Sequence, residues 1–195
     1  MMAFRRDDDQ ADLFSGISDL DAVRLLLADM HDELASKVLR FRHLTDLCGA
    51  LGTQGTMLFG GSVTFSAWTE ARSSFVHGNY VSTVLLCQSL IENLLAAFLH
   101  GGLMMDDLPP RVSFRETLKR CQERKLITES DADDLERLMS LRNPLTHFRT
   151  LGDAQNLDRR ALTDGLPSEA LIKQDAWFAI GLAVRMLAKP EFRLG

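Results

Sequence analysis

An all-α fold follows from three properties of this 195-residue chain. No segment sustains the apolar–polar alternation of a half-buried strand. Apolar residues recur instead at three- and four-residue steps, as in Leu20, Val23, Leu26, Leu27, Met30, Leu34 and Val38. Leu, Ala, Met and Arg, all good helix formers, fill the chain, while aromatic residues make up 7% of it and Tyr80 is the single tyrosine. Long helical runs joined by short glycine and proline breaks predict an antiparallel bundle. The bundle has a core of four to five helices with an added N-terminal helix.

Residues 1–15, with Arg5, Arg6 and Asp7-Asp8-Asp9, read as a loose tail. Residues 16–62 form an N-terminal helical extension. Ser18 or Asp19 caps its helix, which runs to about Leu51 and ends near Gly49–Gly52. The glycines from Gly52 to Gly61 predict a loop. The bundle domain occupies 63–195. Its first helix, Thr64–His77, carries Phe65, Trp68, Ala71, Phe75 and Val76 and stops at Gly78. Asn79 caps a long apolar helix from Tyr80 to about Leu99, so Gly78-Asn79 marks a tight corner. Gly101 and Gly102 end that helix, and Pro109-Pro110 break the chain again.

Ser113 caps a helix to about Lys125 with Phe114, Leu118 and Cys121 on its apolar face. The run Thr128–Asp134 supplies caps and first-turn acids for a helix that carries Leu135, Leu138, Met139 and Leu141 toward Arg142. Residues 149–167 read as a long polar connection. Ser168 caps a last helix through about Ala188, and Pro190 stops it. Trp68 and Trp177 are expected in the core rather than as base-stacking platforms, Tyr80 in an interfacial core position, and Met104, Met105 and Met186 as gap-fillers.

Net charge is −5, so no global field draws nucleic acid to this chain. A local exception lies between Arg137 and Arg160, where five arginines face two aspartates, a balance of +3. The run is either a basic binding face or a solvated surface. Cys48, Cys87 and Cys121 are odd in number and far apart, which argues against a disulfide framework or a thiolate zinc site and for a reducing compartment. The N-terminus shows no apolar secretory core. Val84–Leu99, interrupted by Gln88, Ser89, Glu92 and Asn93, is too short and too polar for a membrane span. A cytoplasmic protein without membrane contact is the expectation. No metal cluster, phosphate-cradling glycine loop or acyl-transfer triad is visible, so neither a metal nor a cofactor is expected.

The stretch Arg142-Asn143-Pro144-Leu145-Thr146-His147 carries the chemistry. A guanidinium neutralises phosphate, and imidazole titrates near pH ~6.5, which suits proton transfer in both directions. The spacing alone is weak, because Arg24…His31 and Arg72…His77 also place four to six residues between arginine and histidine. The third instance differs in its polar Asn143, its internal Pro144 and its position between an apolar helix and a basic loop. On an unbroken helix Arg142 and His147 point about 140° apart and lie about 7.5 Å apart along the axis. Pro144 lacks the N–H that Ser140 would accept, which predicts a kink or a boundary. Either the kink brings the two side chains together or a second subunit completes the site across a two-fold axis. The bland alternative is a polar cluster ending a helix.

Two stretches together resemble the HEPN superfamily (higher eukaryotes and prokaryotes nucleotide-binding domains). One is the corner Phe75-Val76-His77-Gly78-Asn79-Tyr80-Val81 with Leu85–Leu95 after it. The other is Leu141–His147, similar to that family's Arg-x4-6-His motif. The likeness covers roughly residues 65–188. It implies a homodimer that binds RNA or a nucleotide, and in many members a metal-independent endoribonuclease leaving a 2′,3′-cyclic phosphate. On this chain it implies His147 as general acid/base, Arg142 as the cation on the phosphate and Asn143 as an orienting group. Arg149, Arg159 and Arg160 would face RNA. A toxin or defence role with an antitoxin or regulatory protein partner belongs to the same expectation. Where some toxin members carry a modifiable tyrosine, this chain has Arg149. The alternative within the same family is a non-catalytic binding or dimerisation module. Glu92 either positions Arg142 and biases His147, or is an acid on a polar stripe with Gln88 and Ser89.

Overall fold

The computed structural model describes residues 18–52, 57–101, 109 and 111–194. The expected tail at 1–15 lies outside the described residues, as do Gly102, Met104, Met105 and Pro110. Seven helices lie among the described residues, and the fold is an all-α bundle. They are α1 (Asp19–Cys48), α2 (Gly61–His77), α3 (Tyr80–Gly101), α4 (Phe114–Glu123), α5 (Glu129–Thr146), α6 (Leu157–Asp164) and α7 (Ser168–Ala188).

α3 is the axis of the bundle. Val84, Cys87, Leu90, Ile91, Leu94, Leu95 and Leu99 are all withdrawn from solvent, and no residue from Thr83 to Leu99 is exposed. Such a helix has to be covered on every side. α2 and α7 cover it most extensively, and α4 and α5 add to them. At 22 residues and a mean hydropathy of 1.6, α3 is long and apolar enough to cross a membrane. It is longer than the stretch Val84–Leu99 suggests. In this fold its apolar surface meets the other helices. Cys87 and Cys121 lie in the same core, and burial pushes both thiols up, Cys121 to about 12. With Cys48 they are free cysteines.

The α2–α3 corner is closed by backbone and by one arginine. Gly78 adopts a left-handed conformation at φ 79°. Its N–H bonds the Phe75 carbonyl, and the Asn79 N–H bonds the Ser74 carbonyl, the paired bonds of a Schellman end. The next orphan acceptor, the Val76 carbonyl, takes a 2.9 Å hydrogen bond from Arg40 Nε. Arg40 comes from α1, is 6% exposed, and also donates to the Tyr80 hydroxyl at 3.3 Å. A Cβ at residue 78 would sit 3.3 Å from the Arg40 guanidinium. Glycine is therefore needed both for its φ and for the close approach of the cation. A positive group at a helix C-terminus also complements the helix dipole.

Helix starts follow local chemistry. The Ser18, Ser113 and Thr128 side chains accept from Asp21, Glu116 and Asp131 N–H groups. Asp131 completes a capping box by accepting from the Thr128 N–H. The final helix is different: Pro167 holds the cap position, and Ser168 is the first helical residue, its hydroxyl bonded to Asp158. The expected connection over 149–167 contains α6, capped by the Asn156 side chain and ended by a left-handed Gly165. Beyond Pro190 the chain turns back. Phe192 inserts edge-on against Phe98, which meets Phe59 in the same way. Two residues, β1 (Met57–Leu58), pair antiparallel with β2 (Arg193–Leu194). The sequence shows no alternation there because a two-residue pair is too short to have a period.

Arg40→Met should leave the Val76 carbonyl and Tyr80 hydroxyl without their protein partner in a half-buried corner and lower stability by about 1 kcal/mol in urea unfolding. Unchanged unfolding would show that the corner holds without the cation. A second outcome concerns acid. Burial raises the Asp131 carboxyl, but the Lys189 ammonium and the Thr128 N–H and hydroxyl outweigh it and hold the carboxyl below its ordinary value of 3.8. The stability this contributes is present above that value and disappears as pH falls through the depressed one. Asp131→Asn should therefore lower stability at neutral pH and flatten its loss below pH ~4; identical acid profiles would remove Asp131 from the account.

Candidate functional site

Arg142 stands on α5, one turn beyond Leu138 and two turns beyond Leu135, both fully buried. The apolar stripe of α5 turns this face toward the bundle, so the guanidinium is carried to the edge of the core and is half-buried. It has no hydrogen bond, ion pair or ring contact among the described residues. The other described arginines that are buried or half-buried, Arg40, Arg120, Arg124, Arg149 and Arg160, are all engaged. Arg142 is the exception.

Pro144 does not end α5. Helical backbone continues to Thr146, and the Asn143 carbonyl accepts from the His147 N–H at 3.0 Å and from Thr146 Oγ1 at 3.3 Å. Proline is tolerated here because it removes only the bond to Ser140 in the last turn. His147 is the C-cap, extended at φ −130° and ψ 132°, and is exposed. Arg142 is helical and His147 is the extended cap that follows, and no hydrogen bond or ion pair joins them among the described residues. The fold thus places both at one end of α5 without joining them. Asn143 is half-buried, and its amide has no partner among the described residues.

Glu92 is half-buried on α3 and makes no ion pair with Arg142 or His147 among the described residues. Gln88 is not on a polar stripe with it: Gln88 is 4% exposed, and its Oε1 has no hydrogen-bond partner.

The basic run is largely used within the fold. Arg149 pairs with Asp153 at 3.1 Å, and Arg159 donates to the Leu151 and Gly152 carbonyls. Asn156 knits this turn by donating to the Arg149 carbonyl while capping α6. Arg160, counted from sequence among the RNA-facing arginines, makes a two-pronged ion pair with Asp175 of α7 at 2.8 and 2.9 Å. Asp175 is 4% exposed. The Asp175 carboxylate raises the Arg160 pKa against the opposing effect of burial, so this cation is a clamp between α6 and α7. The sequence could not show the pairing because Asp175 sits among apolar residues of a helix with no visible link to Arg160.

Sequence reasoning also missed exposed apolar residues after His147. Phe148 is 91% exposed, Leu162 79% and Leu151 61%. Leu151 and Leu162 sit in a segment read as polar, and their isolation from any periodic face was the available signal.

The two arginines separate a structural role from a functional one. Arg160→Gln should leave the buried Asp175 uncompensated and cost about 3 kcal/mol of stability. Arg142→Gln should change stability by less than about 0.5 kcal/mol, because it breaks no contact. Denaturant unfolding of both variants decides the matter; equal destabilisation would make Arg142 a packing residue.

Family models, curated proteins and solved structures returned no match to this chain.

Proposed function

We propose that this protein is a metal-independent endoribonuclease whose active site is composed by two copies of the chain. The observation that carries the reading is Arg142, a half-buried guanidinium without a partner among the described residues, at the helix end that also presents an exposed His147. A partly desolvated cation with no counter-charge is disposed toward an anion, and a planar guanidinium suits phosphate. Since no contact joins the two groups of one chain among the described residues, the chemistry is assigned to a pair related by a two-fold axis. Each Arg142 then faces the His147 of the other copy.

In that arrangement the RNA 2′-hydroxyl attacks the adjacent phosphorus while an imidazole takes its proton. The bond from phosphorus to the 5′-oxygen breaks, and the departing oxygen receives a proton from imidazolium, leaving a 2′,3′-cyclic phosphate. Arg142 stabilises the charge that develops on the phosphoryl oxygens. Asn143 orients the imidazole or the phosphate, and Arg149 and Arg159 flank the site on the RNA side. Arg160 is left out of this role by its bond to Asp175.

A second reading is a non-catalytic nucleotide- or partner-binding dimerisation module. The 91% exposed Phe148, next to His147 in the chain, favours it, because an exposed aromatic group can anchor a partner without any chemistry.

Purified protein should cleave RNA in EDTA and leave 2′,3′-cyclic ends. His147→Ala should abolish cleavage with unfolding unchanged to within about 0.5 kcal/mol, and Arg142→Ala should slow it by about 10²–10³-fold. RNA binding without turnover, lost in Arg142→Ala, would replace the nuclease with the binding module. Full cleavage by His147→Ala would remove both the histidine and the proposed mechanism.

A further inference from the structure

We propose that the N-terminal half of α1 pairs with the same helix of a second copy as a parallel, in-register coiled coil. Every residue from Asp19 to Ser36 is exposed. The polar contacts of that segment are local, the ion pairs Asp21–Arg24 and Glu33–Lys37 and the contact of His31 with Asp32. An isolated helix of this length is marginal in water and relies on packing of an apolar face.

That face is present and has a period. Leu20, Val23, Leu27, Met30 and Leu34 alternate in steps of three and four, the a/d spacing of a two-stranded coiled coil, and Lys37 takes the next position and ends the apolar seam. All five are more than half exposed, from 51% for Val23 to 59% for Leu20. The seam is not the face by which α1 joins its own bundle. Arg40, Leu44 and Leu47 make that contact, and they lie about 100° around the axis from the seam.

Size and charge select the occupant. Side chains that each cover on the order of 100 Å², with Leu26 beside them, give roughly 600 Å² per chain, the lower end of what a stable interface buries per partner. A parallel pair sets Asp19 of one helix against Arg24 of the other at the flanking positions. An antiparallel pair that stacked the leucine layers would place Lys37 on Leu20, whereas a parallel pair over Leu20–Leu34 leaves Lys37 beyond the last leucine layer. The outward face carries Asp21, Asp29 and Asp32, which disfavours an anionic lipid surface as the occupant. This surface is separate from the α5 end, so its loss and the loss of the nuclease reading are scored by different measurements.

Light scattering on the full chain across a wide concentration range should report self-association, and Leu27→Glu with Leu34→Glu should abolish it. In a Cys48→Ser background, oxidised Leu34→Cys should form a disulfide-linked dimer, whereas Asp32→Cys, on the opposite side of the helix, should not. A chain that stays monomeric, association that survives the double variant, or equal cross-linking from both cysteines overturns the proposal. So does Leu27-dependent sedimentation of a monomer with phosphatidylcholine vesicles, which would make α1 a membrane-surface helix.

Discussion

Everything in the bundle answers to the surface of α3. Most helices expose one stripe to water; this one is buried or half-buried at every residue from Thr83 to Leu99. A single neighbour covers a third of a helix at most, so several must surround it. The Gly78 corner brings α2 back at once along one side, the commitment nearest in sequence. α7 lies along another side with Ala176, Ala179 and Ala183, small residues with no exposed surface. α5 and α4 fill the remainder with Leu135, Leu138, Leu118 and Cys121. The placement of Arg142 is a by-product: α5 has to press its leucines on the core, and the next position on that face is an arginine.

Charge divides sharply across the molecule. Arg40, Arg160 and Arg185 each tie two helices together, by carbonyl and hydroxyl, by Asp175, and by Asp131 with Asp134. Partly buried pairs of this kind are held in register by geometry more than they add net stability. Arg142 is half-buried like Arg160 but lacks a partner among the described residues, a departure from the pairing that the other half-buried arginines show.

Helix starts were legible because capping is short-range. Ser18, Ser113 and Thr128 each declare themselves by a side chain three residues from the N–H they serve. α6 was not, since eight polar residues give too little periodicity to separate a helix from a loop, and its Asn156 cap looks like any loop asparagine. The apolar period of α1 was visible, but a period cannot say what covers it. Only the burial of Arg40 and Leu44, against the exposure of Leu34, shows that the helix has two distinct faces. At the candidate site the residues were readable and their relation was not. Pro144 announces a disturbance, yet in the last turn its missing N–H costs a single bond, and the helix proceeds to Thr146.

The Phe59–Phe98–Phe192 stack and the β1–β2 pair join the segment between α1 and α2 to residues after α7. Nearly the whole bundle separates these partners along the chain. Loop-closure entropy makes contacts of such separation late events, formed after the local hairpin of α2 and α3 has already paired. The aromatic stack is therefore a closing step in the order of assembly. Until it forms, the end of α3 around Phe98 and Leu99 is open to water and is the place where a half-assembled chain would adhere to another.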